Sequence, residues 1–180
     1  MSFDPADVTR FWREAGKEAW FRKDAAFDDA LRARFLDAHM AAARRELDRW
    51  LDECDGALAL VLLLDQIPRN VFRDTAHMFA TDPLARWAAD KAIAAGHDQT
   101  VEKELQPFFY LPFEHSESAT DQARCVALFV ATGDAYNIKW AKLHADIIAR
   151  FSRFPHRNAV LGREATAAER TFMEEGGFSG

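Results

Sequence analysis

At 180 residues with 49% hydrophobic and 12% aromatic side chains, the chain has enough apolar surface for one core, which excludes a disordered protein and makes one domain the default. A formal charge of −6 argues against a nucleic-acid partner, since phosphate binding needs a basic footprint. The opening Met-Ser-Phe-Asp-Pro carries no secretory pattern and the longest apolar run, 57–64, is too short to span a bilayer, so a cytoplasmic location without membrane attachment is expected.

The elements read as helices from end to end, with no β alternation. Asp4 and Pro5 open a first helix with Val8, Phe11, Trp12 and Ala15 on one face, closing before Gly16. Asp24 caps a longer second helix whose Phe27, Leu31, Phe35, Ala38 and Ala42 form a core-facing stripe, flanked by His39 and Met40. Asp55 and Gly56 introduce Ala57 to Leu64, a run without a polar face that must be central; Pro68 is expected to end it at Asp65 to Ile67. Thr81 or Asp82 with Pro83 restarts a helix that Gly96 closes. Pro107 and Pro112 bracket a buried connection through Phe108, Phe109 and Tyr110.

Ser116 or Ser118 opens the next helix, carrying Ala123, Val126, Ala127 and Val130 as far as Gly133. Another follows over about 135–151, with Ile138, Ala141, His144, Ile147 and Ile148 at helical spacing. Thr166 with Glu169 forms a capping-box pattern for a short last helix over residues up to about 175, and 176–180 reads as a flexible tail. The fold class is therefore all-α: seven or eight helices with short connections, packed as antiparallel pairs in a bundle or array. Cys54 and Cys125 stand apart from any ligand or redox motif and read as reduced thiols.

Two segments concentrate polar chemistry. Asp65, Gln66, Arg69, Asn70 and Arg73 follow directly on the most apolar helix, where burial requires partners or a ligand. Arg150, Arg153, His156, Arg157 and Asn158 sit among Phe151, Phe154 and Pro155, with Arg163 beyond, and supply guanidinium forks suited to carboxylate or phosphate. Both place proline beside an Arg-Asn pair at the end of an apolar helix, so a shared site at one end of a bundle is one arrangement.

A third segment sets His115 between Glu114 and Glu117 ahead of a helix, a setting that raises a histidine toward acid or base duty. His144 and Asp146 could join it around a metal, but no His-Glu-x-x-His helix, Cys cluster or i, i+4 ligand pair supports one, and neither metal nor cofactor is expected. There is also no nucleophile elbow or Gly-rich phosphate loop. The five tryptophans, Trp140 among them, read as packing anchors.

The stretches Leu60 to Asn70, Tyr110 to Glu117, Arg150 to Asn158 and Leu161 to Arg163 resemble a bacterial family known as domain of unknown function 924. The likeness extends from about Val8 to Phe172. It implies a tetratricopeptide-type helical fold and carries no assigned activity; it also implies a glycine where this chain has Ser152.

Three functional readings remain open. In the first, a pocket lined by Asp65, Gln66, Arg69, Asn70, Arg73, His115, Glu117, His144, Arg153, His156, Arg157 and Asn158 binds a small anionic metabolite or a peptide terminus. If it is also an enzyme, His115 or His156 is the candidate acid or base. In the second, a helical adaptor receives a protein partner in a groove without chemistry. In the third, the polar motifs only hold the fold. Oligomeric state stays open.

Overall fold

A computed structural model of the chain describes residues 3–179. The expected all-α class is the observed one, and no β-strand occurs among the described residues. Two compact units emerge. The first contains residues up to 73 together with 77–112; the second contains 74–76 and residues from 113 onward.

In the first unit, helix α1 (Pro5–Trp20) starts where Asp4 accepts the Ala6 amide at 2.9 Å, with Pro5 at the first turn. At Gly16 the backbone leaves helical geometry (φ 70°, ψ 173°), so the first helical stretch breaks there as the sequence suggests, and the short stretch beyond it carries Trp20 back to stack on Trp12 at 6.1 Å. The Trp20 indole donates to the Trp12 carbonyl at 2.7 Å, which closes that loop of helix on itself. Helix α2 (Ala25–Ala43) is capped by Asp24 and buries Leu31, Phe35, Ala38 and Ala42 as its spacing predicts, together with His39.

Helix α3 (Cys54–Leu64) is the centre of this unit: every residue from Gly56 to Leu64 is buried. It packs on α1, α2 and α5 (Asp82–Ala94). Gly56 lies where a Cβ would stand 2.3 Å from the Trp50 carbonyl oxygen, so only glycine lets the start of α3 approach the preceding 3-10 turn (Asp48–Asp52).

The expectation that Pro68 ends the helix is corrected. The backbone breaks at Asp65 (φ −112°, ψ −60°) and resumes as α4 (Gln66–Val71) with Pro68 inside its first turn. In a first turn the amide that proline lacks would have no helical acceptor, so the ring is tolerated. Gly96 takes a φ of 79° after α5, as its position implies. The Tyr110 hydroxyl, buried in the connection between Pro107 and Pro112, donates to Asp98 at 2.7 Å. A four-residue helix, α6 (Leu111–Glu114), carries the chain on.

The second unit is built on the hairpin of α7 (Ala119–Thr132) and α8 (Ala135–Phe151), joined through Gly133 and capped by Ser118 and Asp134. Ser152 ends α8 with φ of 58°, the left-handed cap geometry that glycine takes most easily. Ile147, Ile148 and Phe154 form a buried cluster, with Phe151, Phe172 and Phe178 packed against it. The capping box predicted for the last helix, α9 (Ala167–Glu174), forms from both sides, Thr166 to the Glu169 amide and Glu169 to the Thr166 amide.

Beyond α9, within the segment read as a flexible tail, Gly176 adopts φ of 80° and donates to the Met173 carbonyl, while Gly177 donates to the Phe172 carbonyl at 2.9 Å. That pair of bonds is a Schellman turn. It points the following residue, Phe178, back to its own unit; Gly180 lies outside the described residues. The two cysteines form no disulfide, and burial, helped by Glu114, pushes the Cys125 thiol up. No helix among the described residues is long and apolar enough to cross a membrane.

Candidate functional site

Both arginines of the first polar motif are engaged by carboxylates. Asp65, fully buried at the break between α3 and α4, receives the Gln66 side-chain amide at 2.6 Å and lies 3.2 Å from Arg69. The other side of the Arg69 guanidinium meets Asp82 at 3.0 Å. Burial works against the charge on Arg69, but the two carboxylates outweigh it and raise its pKa. Arg73 makes a two-pronged contact with Asp28 of α2, at 2.7 and 2.9 Å, and also donates to Asn70 at 3.0 Å. Asn70 in turn donates to the Gln66 carbonyl at 3.0 Å. Each of the five polar residues predicted from this segment thus ties α4 to a neighbouring element or to itself.

In the second motif, Arg153 forks onto Glu169 at 2.6 and 2.8 Å. The Arg153 guanidinium holds the Glu169 carboxyl down at about 2, well below the carboxylate range. Arg163 forks onto Glu117 at 2.8 and 3.0 Å, and Glu117 also accepts the Phe154 amide at 2.8 Å. Burial raises the Glu117 pKa, and Arg163 with that amide more than reverses it. Asn158 joins the two pairs: its side-chain oxygen accepts from Arg163 at 3.0 Å, and it also helps hold Glu169 low. This set locks the loop after α8 to α9 and to the segment before α7.

The histidines behave differently. His144, buried on α8, has Nδ1 2.9 Å from the Trp140 carbonyl and 3.6 Å from Glu114. Burial lowers its pKa to about 4; the Trp140 carbonyl opposes that, while His115 and Arg157 add to it. His156 is lowered to about 3 by burial, then by Arg157 and His144, with Glu117 opposing and His115 adding. Both rings are therefore neutral at physiological pH, and Glu114 at 3.6 Å does not raise His144 above the ordinary histidine value.

Around them stands an aromatic cage. The Phe178 ring lies 4.6 Å from His144, 5.3 Å from His156 and 6.2 Å from Trp140, centroid to centroid. Phe154 lies 5.6 Å from His144 and 5.5 Å from His156, with the Arg157 guanidinium over its ring at 4.5 Å. The His156 Nδ1 and Trp140 Nε1 atoms are buried without a hydrogen-bond partner. Among the described residues no group of three or more His, Cys, Asp or Glu side chains is arranged to hold a metal.

The structure thus gathers His115, His144, His156 and Arg157 electrostatically, and engages Glu117, Arg153 and Asn158 in the clamp beside them. Sequence reasoning missed Trp140, Phe154 and Phe178 as members of this set. Trp140 stands one helical turn before His144, a spacing that places both on one face. For Phe178 the signal was the Gly-Gly pair, a helix-ending sequence that returns the chain. The partners Asp28 and Asp82 had no local signal. Two surface clefts, of about 290 Å³ beside Arg10 and Arg34 and about 460 Å³ beside Trp50 and Glu53, are lined by none of the predicted residues.

These features define an all-helical protein whose arginine motifs are paired with acids and whose second unit carries a caged imidazole pair. The chain belongs to the family described as bacterial protein of unknown function (DUF924), which matches residues 8–177. It is similar to a solved structure titled protein of unknown function ATU0120 from Agrobacterium tumefaciens. Identity is 55%, over 95% of this chain and 97% of that one, with a TM-score of 0.92. Comparison with curated proteins gives no match.

Proposed function

We propose that the second unit binds a small anionic ligand at His156, Trp140 and Arg157, with His115 and His144 as neighbours, while Arg69, Arg73 and Arg153 hold the fold. The observation that carries this reading is the pair of buried ring nitrogens, His156 Nδ1 and Trp140 Nε1, that have no partner although they flank one aromatic cage. A buried polar atom left unpaired costs roughly 1–3 kcal/mol, and a ligand oxygen accepting from it offsets that cost. An indole nitrogen only donates, and a neutral imidazole presents a donor at Nδ1 in one tautomer, so both favour an acceptor such as carboxylate or phosphate. Arg157 adds the charge. The arginines of the first motif and Arg153 already have carboxylates, which supports the structural reading for them.

Thermal-shift measurements against carboxylate and phosphate salts test it, because a ligand that binds only the native state raises its melting temperature. The expected result is a rise with at least one anion in the wild type, lost in Trp140→Phe and in His156→Phe. A protein that no anion shifts, or shifts that survive both substitutions, overturns the reading.

A further inference from the structure

One ring of the cage, Phe178, sits as a guest among the others, Trp140, His144, Phe154 and His156, and the chain itself supplies it. Phe178 reaches that place from the last few residues of the sequence, turned inward by the Schellman turn at Gly176 and Gly177. Its ring packs on the Ile147, Ile148 and Phe154 cluster and makes near-perpendicular contacts with His144 (68°) and His156 (81°). Rings meeting edge to face in this way are a specific arrangement for an aromatic guest. The two unpartnered nitrogens belong to two of the three side chains that flank this guest, so the walls of the seat carry hydrogen-bonding capacity that a phenylalanine ring leaves unused.

The attachment of the tail is light. Phe178 is only partly buried, and the turn depends on two glycines: a Cβ on Gly177 would fall 2.5 Å from the Phe172 carbonyl oxygen. Only the residues after α9 must move for the ring to leave. A phenylalanine side chain satisfies the apolar part of the seat and offers nothing to the nitrogens, whereas a ring bearing an acid group satisfies both.

Resting on the anion-binding reading above, we infer that the ligand is a small aromatic acid whose ring takes the place of Phe178, so that the C-terminal tail is an intramolecular competitor for the site. The apparent affinity of such a site is reduced by the fraction of molecules in which the tail is out. Freeing the seat therefore raises affinity without adding any contact.

Isothermal titration with 3-phenylpropionate and with propionate, on the wild type, Phe178→Ala and Gly177→Ala, tests the inference. The expected result is binding of 3-phenylpropionate that is roughly tenfold tighter in both variants, the factor for a tail seated about nine-tenths of the time. Propionate, lacking the ring, binds at least tenfold more weakly to every protein. A synthetic peptide of residues 174–180 competes with 3-phenylpropionate on Phe178→Ala. Should Phe178→Ala lose its helical circular dichroism, the gain is required of Gly177→Ala, which keeps the ring and disturbs the turn. Equal affinity in wild type and variants, or equal affinity for the two acids, overturns the aromatic inference and leaves the anion site standing. Binding of no anion by any of the three proteins removes both.

Discussion

Lowering the pH from 7.5 to 5.0 should destabilise this protein through two rings of the second unit, and a double substitution should remove that part of the loss. His144 and His156 have folded pKa values of about 4 and about 3, against 6.5 for an ordinary histidine. Because the folded values lie below the unfolded one, their contribution is full above pH 6.5 and shrinks as the pH falls toward the folded values. At pH 5.0 the unfolded rings are almost fully protonated and the folded ones almost not. Each ring then costs about 2 kcal/mol, and the pair about 3–4 kcal/mol, since part of the His156 shift comes from His144.

The groups facing these rings are Glu114, Glu117, His115 and Arg157; Glu117 opposes the His156 shift without reversing it, and the Trp140 carbonyl does the same for His144. Glu117 and Glu169 are lowered, so their contributions are complete above the ordinary carboxylate range and fade only below it, outside this window. His39 in the first unit is also lowered by burial and adds a slope of the same sign, common to both proteins. Urea unfolding of the wild type and of His144→Gln/His156→Gln at the two pH values isolates the term as a difference of differences. Equal losses in the two proteins would refute the claim that these rings are held neutral by burial.

Three further expectations follow from packing and charge. Replacing Arg69 by Met removes the cation that the buried Asp65 and Asp82 share and should cost roughly 3–5 kcal/mol in chemical denaturation; a loss under 1 kcal/mol contradicts the bridging role given to Arg69. Gly56→Ala forces the new methyl into the Trp50 carbonyl and should lower stability by roughly 1–3 kcal/mol, visible as a lower melting temperature. Ser152→Gly should instead raise stability by about 0.5–1 kcal/mol, since glycine takes the left-handed cap without the Cβ penalty; a lower melting temperature argues that the Ser152 side chain matters.

Helix positions were largely legible in the sequence because their signals are local. Asp4, Asp24, Ser118 and Thr166 cap the helices they precede, and Gly96 and Gly133 take positive φ where their positions suggested. Pro68 misled because a proline in the first turn and a proline that breaks a helix look alike until the break at Asp65 is seen. The arginines were correctly singled out as residues needing partners. Asp65 and Glu117, which stand within the polar segments, were legible as acid partners, and they meet Arg69 and Arg163; the acids outside those segments were not, since Arg73 meets Asp28 and Arg69 also meets Asp82 across loops that no periodicity spans. The cage escaped for a related reason: its ring comes from a five-residue sequence of glycines, serine and phenylalanine whose composition reads as a tail, while its geometry is set by a turn.

The burial of Gly56 to Leu64 also has a consequence for how the chain must be made. The last eight of these residues, 57–64, are an aliphatic stretch without charge, among the windows most prone to self-association when exposed. Two of its coverings, α1 and α2, precede it in the sequence and can meet it as it is synthesised, whereas α5 begins only at Asp82. At about 5–20 residues per second that side stays open for a second or more. Asp65 and Arg69, set directly behind the stretch, are then the charges that keep the nascent segment apart from its neighbours before they meet each other in the folded unit.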